Sequence, residues 1–282
     1  MRRALLFLSC LTLAGCAWEP GQGFAVVEPT VRVAYEPLAD RAAGDGYQRL
    51  SSDFQVRVDS GAMRVSGIEL LASAGGTGGS FDPANPPPGY SLCHGGHCHR
   101  DDGALIPYEQ IAAEMGGGGG SRAVVTLPVS EPLNLLAPET RAVGCTPGCA
   151  LPNAQVSQGR WAIETLRLEG TVRDARPTPR FPGELRFLLD LKPTDSDAPV
   201  AVLTGEVELP SDRAHPPEAK LDLSLALTAA LFDAVDWSAL KQRPDGVVDF
   251  NDEDPANTAA RKALLERLAR FSPQAEVTRG DR

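Results

Sequence analysis

The sequence predicts a mainly β protein, an antiparallel β-sandwich or barrel-like domain carrying a few short helices and long Gly/Pro-rich loops. Three observations predict it. Apolar and polar residues alternate in short runs along much of the chain, the signature of half-buried strands. Its 28 Gly and 24 Pro interrupt those runs often, as turns do. Hydrophobic content of 42% is enough for a core, yet strands and helices do not alternate in the manner of a parallel α/β sheet.

The first element is not part of that fold. Met1-Arg2-Arg3 precedes an apolar run over residues 4–13, then Ala14 and Gly15 stand before Cys16. A charged start, an apolar centre and a small-residue cleavage site make an export signal. Some ten apolar residues fall short of the roughly 20 that a membrane-spanning helix needs. Residues 1–15 are therefore expected to be removed, leaving a tether over 16–23 and a single β-rich domain over 24–282.

Leu13-Ala14-Gly15-Cys16 is similar to the lipobox of bacterial lipoproteins. That resemblance implies lipidation of Cys16 and makes the membrane the first expected partner. Ala17 follows where, in the enterobacterial pattern, an Asp would favour inner-membrane retention, so the resemblance implies the outer membrane, facing the periplasm or the cell surface. A second envelope protein is the other partner to consider. Nucleic acid is not one: without Arg2 and Arg3 the formal charge moves from -10 to -12, and no Lys/Arg cluster offsets it against a phosphate backbone.

Within the domain, Val31, Val33 and Tyr35, then Phe54, Val56 and Val58, then Met63 and Val65 hold one parity. Arg32, Gln55, Arg57 and Arg64 hold the other. Gly67 shifts the phase before Ile68 and Leu70, as a bulge would. Further strands are expected over 124–127, 161–172, 185–191 and 200–209. The clearest is Leu221, Leu223, Leu225 and Leu227 against Lys220, Asp222 and Ser224. Helical patterning is sparse. Residues 108–115 offer two turns before the glycine run 116–120, and residues 229–240 offer a short helix. Asp254-Pro255 supplies a helix start leading to about residue 271, with Leu264, Leu265, Leu268 and Phe271 as its apolar stripe. There is no internal repeat.

The unusual chemistry lies in a His/Cys loop spanning about 81–120. Cys93-His94-Gly95-Gly96-His97-Cys98-His99 gathers three of the chain's 4 histidines beside two of its cysteines. Imidazole and thiolate suit copper and zinc, and the glycines would let the loop fold back on itself. His94, His97, His99, Cys93 and Cys98 are thus candidate metal ligands, with Asp101 and Asp102 as further carboxylates or orienting groups. Cys145 and Cys149 form a second pair, a further metal site or a disulfide. Their Cys-x-x-x-Cys spacing is similar to the copper-binding segment of cytochrome-oxidase copper-assembly proteins, where a distant histidine completes the site. The thioredoxin-like alternation of that family is not found in this chain, so no activity carries over.

Export sets a competing expectation, because an oxidising compartment turns paired cysteines into disulfides. Cys93 with Cys98 and Cys145 with Cys149 would close two small loops, whereas crossed pairings would staple two distant ones. A Cys93–Cys98 bridge presenting His94, His97 and His99 to a metal joins both ideas. The rival reading is a structural or protein-interaction lipoprotein whose cysteines are staples and which binds no metal. His215 lies in a Pro-rich loop and reads as a solvated side chain. The acidic run 245–254 lacks EF-hand spacing and reads as turns leading into a helix. No nucleophile elbow, Walker loop or His-Glu-x-x-His motif is present, and catalysis would need a three-histidine metal with an open position.

Overall fold

The computed structural model describes residues 25–73, 86, 89–94, 97–100, 105–107, 121–151, 156–193, 198–209 and 218–279. The expected signal, tether, glycine run and 108–115 helix lie outside these, as do Asp101, Asp102 and His215. In chain order the first strands are β1 (Ala25–Tyr35), β2 (Gln48–Arg49), β3 (Phe54–Ser73), β4 (Tyr90–His94), β5 (His97–Arg100) and β6 (Leu105–Pro107). There follow β7 (Ser121–Pro128), β8 (Leu133–Asn134), β9 (Arg141–Ala142), β10 (Ala150–Leu151), β11 (Val156–Asp174) and β12 (Glu184–Leu191). The last are β13 (Ala201–Glu206), β14 (Glu218–Leu227), β15 (Val247–Asp249), helix α1 (Pro255–Leu268) and β16 (Gln274–Arg279).

These strands form two large sheets and a small one. One large sheet runs β10-β1-β14-β16 with β9 also on β1, and the other runs β15-β12-β11-β3-β2, with β13 on β11 and β7 and β8 on β3. The long strands β3 and β11 are the spine of the second, antiparallel from Ala72 opposite Val156 to Phe54 opposite Asp174. Ala162 faces Gly67 while Ile163 faces Val65, so Ser66 is an extra residue beside Gly67, where the phase shift placed a bulge. Such irregularities let strands of this length bend and hand their edges to different neighbours.

The sandwich expectation holds, with no closed barrel among the described residues. Pairing is mostly antiparallel, but β1 runs parallel to β14 and β12 parallel to β15. Alternation explains the core. Val27, Val31 and Val33 of β1 and the four leucines of β14 are buried, as are Met63, Val65, Ile68 and Leu70 of β3 and Trp161, Ile163, Leu166 and Leu168 of β11, all in one apolar cluster. At about 25 cal/mol per Å2 of apolar surface removed from water, this burial is the main favourable term in folding. The opposite parity carries charge, as where Arg160 of β11 pairs with Glu69 directly across on β3.

Trp237 sits among Phe187, Phe232 and Phe250, with ring centroids 5.4, 5.9 and 5.6 Å away. The expected 229–240 helix is shorter than its apolar pattern suggested. Only Ala229–Phe232 makes a 3-10 turn, with Thr228 Oγ1 accepting from the Ala230 amide at 3.3 Å. Asp236 then accepts from the Ser238 amide at 3.1 Å, a side-chain turn that competes with helical bonding. The apolar residues of this stretch fill the core from a turn instead.

Helix α1 starts as expected, with Asp254 accepting from the Ala256 amide at 2.9 Å and Pro255 in the first turn. It stops at Leu268 rather than near 271, where the chain tightens into shorter-range bonds, the Arg270 and Phe271 amides donating to the Arg267 and Leu268 carbonyls at 3.0 and 3.1 Å. The chain then turns into β16, an unexpected strand antiparallel to β14. Buried Asn257 binds the Lys241 amide at 2.9 Å and the carbonyls of Lys241 and Asp249 at 3.0 and 2.9 Å, fixing α1 to the turn before it.

Candidate functional site

Strands β4, β5 and β6 form the small antiparallel sheet that carries the histidine cluster. Ser91 stands opposite His99 and His94 opposite His97, with a register shift between them, and Cys98 stands opposite Ile106. The two glycines between His94 and His97 match the chemistry of a two-residue hairpin connection. A disulfide joins Cys93 to Cys98, their Cα atoms 4.0 Å apart, and Cys98 is fully buried. The backbone thus brings His94 and His97 into cross-strand register, while their side chains lie outside the described part of the structure. His99 is partly buried, and its carbonyl accepts from Ser91 Oγ at 3.5 Å.

This bridge corrects one expectation. Cys93 and Cys98 were candidate thiolate ligands, but a sulfur bonded to sulfur has no thiolate to offer a metal. Of the two readings of Cys145 and Cys149, a further metal site or a disulfide, the disulfide is the one present, with Cα atoms 5.0 Å apart. Neither crossed pairing between the loops is adopted. Among the described residues no three His, Cys, Asp or Glu side chains converge as a metal site. The bridges remove the sulfurs from the expected ligand set and do not touch its imidazoles or its carboxylates.

The second bridge does something the sequence alone did not indicate. Thr146 exchanges backbone hydrogen bonds with Thr126 of β7, at 2.9 and 2.8 Å. Three residues on, the Cys149 carbonyl accepts from the Val27 amide of β1 at 3.0 Å. Because β7 belongs to one large sheet and β1 to the other, the loop closed by this disulfide is tied to both. Both of its cysteines pack against the apolar cluster.

The acidic run behaves as its spacing suggested. Arg243 pairs with Asp245 at 2.7 Å and Asp249 at 3.2 Å, and the amides of Val247, Asn251 and Asp254 donate to Asp245, Asp249 and Asp252. The Arg243 contact and the Val247 amide lower the Asp245 carboxyl below its ordinary value, the amide contributing most. These carboxylates shape turns.

Two further arrangements escaped sequence reasoning. Tyr47 is buried, its hydroxyl 2.9 Å from Thr171 Oγ1, with the Arg173 and Arg57 guanidinium groups 4.0 and 4.9 Å from its ring centre. A cleft of about 760 Å3 also opens between the edges of β13 and β16, with Glu206, Glu208 and Glu276 in its lining. Alternation of Gln274, Ala275, Glu276 and Val277 was the available signal for β16, but it is brief and adjoins a stronger helical stripe. No protein-family model, curated protein or solved structure matches the chain.

Proposed function

We propose that the chain is a lipid-anchored protein of the bacterial outer membrane with a structural or protein-interaction role, its four domain cysteines serving as staples. The observation that carries the stapling is the Cys145–Cys149 loop, bonded through Thr146 to one sheet and through Cys149 to the other. A paired set of bridges suits an oxidising compartment, in agreement with the export signal. The lipobox supports anchoring through Cys16, and no helix among the described residues is long and apolar enough to cross a membrane.

Intact-mass measurement of the protein from its membrane fraction, with metal analysis, tests this reading. The expected mass is that of a chain beginning at acylated Cys16, two hydrogens lighter per bridge, with acylation lost in Cys16→Ala. Metal content should be the same in the wild type and in a His94→Ala, His97→Ala, His99→Ala variant. An unmodified Cys16 would remove the anchor. One observation favours a second reading, copper or zinc held by imidazoles, namely the His94–His97 register. Metal lost selectively from the triple variant would replace the structural role with that one.

A further inference from the structure

Strands β13 and β16 have one partner each among the described residues, β11 and β14 respectively, so within that part of the structure each has one edge unpaired. They belong to different sheets and pack closely where Gly205 meets Pro273, the residue before β16. A Cβ on Gly205 would lie 2.2 Å from the Pro273 carbonyl oxygen, which is why glycine stands there. Beside that contact the edges part and leave the 760 Å3 cleft. Each edge is six residues long, about 20 Å at strand spacing, enough for one short added strand. Exposed edges are usually blocked by lysine, proline or a covering segment, because they invite pairing with another chain.

We infer that this cleft is a docking site for an extended, basic segment of a partner protein, added as a strand to one of the two edges. The inference rests on the interaction role proposed above and names its surface and partner chemistry. Charge selects the occupant. Glu206, Glu208 and Glu276 are exposed along the cleft, and among the described residues its lining contains no lysine or arginine. Main-chain hydrogen bonds would supply the attachment, and alternate lysine or arginine side chains facing the glutamates would supply selectivity. A second copy of this chain would bring the same three glutamates to its own, and the net charge of -10 for the whole sequence works against that pairing.

The test uses the mature protein in detergent and a fluorescent synthetic peptide alternating lysine and valine. Its controls are the glutamate–valine counterpart and a lysine–valine peptide N-methylated at alternate amides. Fluorescence polarisation should show saturable binding of the first peptide and none of the second. N-methylation should weaken binding at least tenfold, because it removes the donors a new strand needs while keeping every charge. A Glu206→Lys, Glu208→Lys, Glu276→Lys variant with unchanged circular dichroism should lose the lysine peptide by a similar factor and gain the glutamate one. Equal binding of the N-methylated peptide, or equal binding by the variant, overturns the proposal. So does sedimentation showing a dimer that the variant abolishes, since a second copy then fills the cleft. Absence of binding alongside the expected acylation and bridges would remove this site and leave the structural role standing.

Discussion

Gly170 shows how much a single position can depend on its neighbours. A Cβ there would lie 2.1 Å from the Arg57 carbonyl oxygen and 2.8 Å from the Phe187 ring, neither of which can move without disturbing β3 or the aromatic core. Gly170→Ala is expected to cost about 1–3 kcal/mol, read as a lower urea midpoint at unchanged slope. Asp174 offers a pH test. The Arg176 guanidinium, then the amides of Arg180 and Arg176, hold its carboxyl well below the usual range. A carboxylate depressed in the folded state adds stability that is full above its unfolded pKa, about 3.9, and is lost as pH falls toward the folded value. Between neutral pH and strong acid, melting temperatures should therefore fall less steeply for Asp174→Asn than for the wild type. Neither role was legible beforehand. A glycine in an alternating run and an aspartate before Ala175-Arg176 look ordinary until register fixes what lies across from them. The histidine cluster was the converse case: three of the chain's 4 histidines stand out between residues 94 and 99 in the sequence, whereas the cross-strand register of His94 and His97 came only with the fold.

At the scale of elements, alternation read well wherever one face of a strand meets the core and the other meets water. The leucines of β14 and the phase shift at Gly67 are the clearest instances. It read poorly for residues 229–240, where Leu231, Phe232, Val235 and Trp237 reach the core from a turn, and for β16, where two apolar residues form the whole signal. The parallel pairings of β1 with β14 and β12 with β15 have no local signature, since direction depends on the path between strands. The Cys145–Cys149 loop yields a prediction at this scale. Opening so short a ring by Cys145→Ser with Cys149→Ser should cost about 2 kcal/mol by loop-closure entropy, seen as a lower denaturation midpoint. Protection of the Val27 amide against hydrogen exchange should fall in the same variant, because its acceptor is the Cys149 carbonyl. Helix α1 should lose about 1 kcal/mol in Asp254→Ala, through the freed amide of Ala256.

The whole molecule is organised around contacts between distant parts of the chain. Thr30 of β1 donates to Asp222 of β14 at 2.6 Å across 192 positions, and the two strands stay in register from Val26 to Tyr35. Topology of this kind folds slowly, because loop closure must precede the reward of contact. A chain ending at residue 217 lacks β14, the longest partner of β1, together with α1 and β16. It should show no cooperative unfolding transition by circular dichroism and should be digested rapidly where the full chain resists. The same pairing matters for a polypeptide delivered N-terminus first. The earliest strand of the sandwich to emerge is among the last to be closed, and until the final quarter arrives its bare amides and carbonyls are open to mispairing and proteolytic attack.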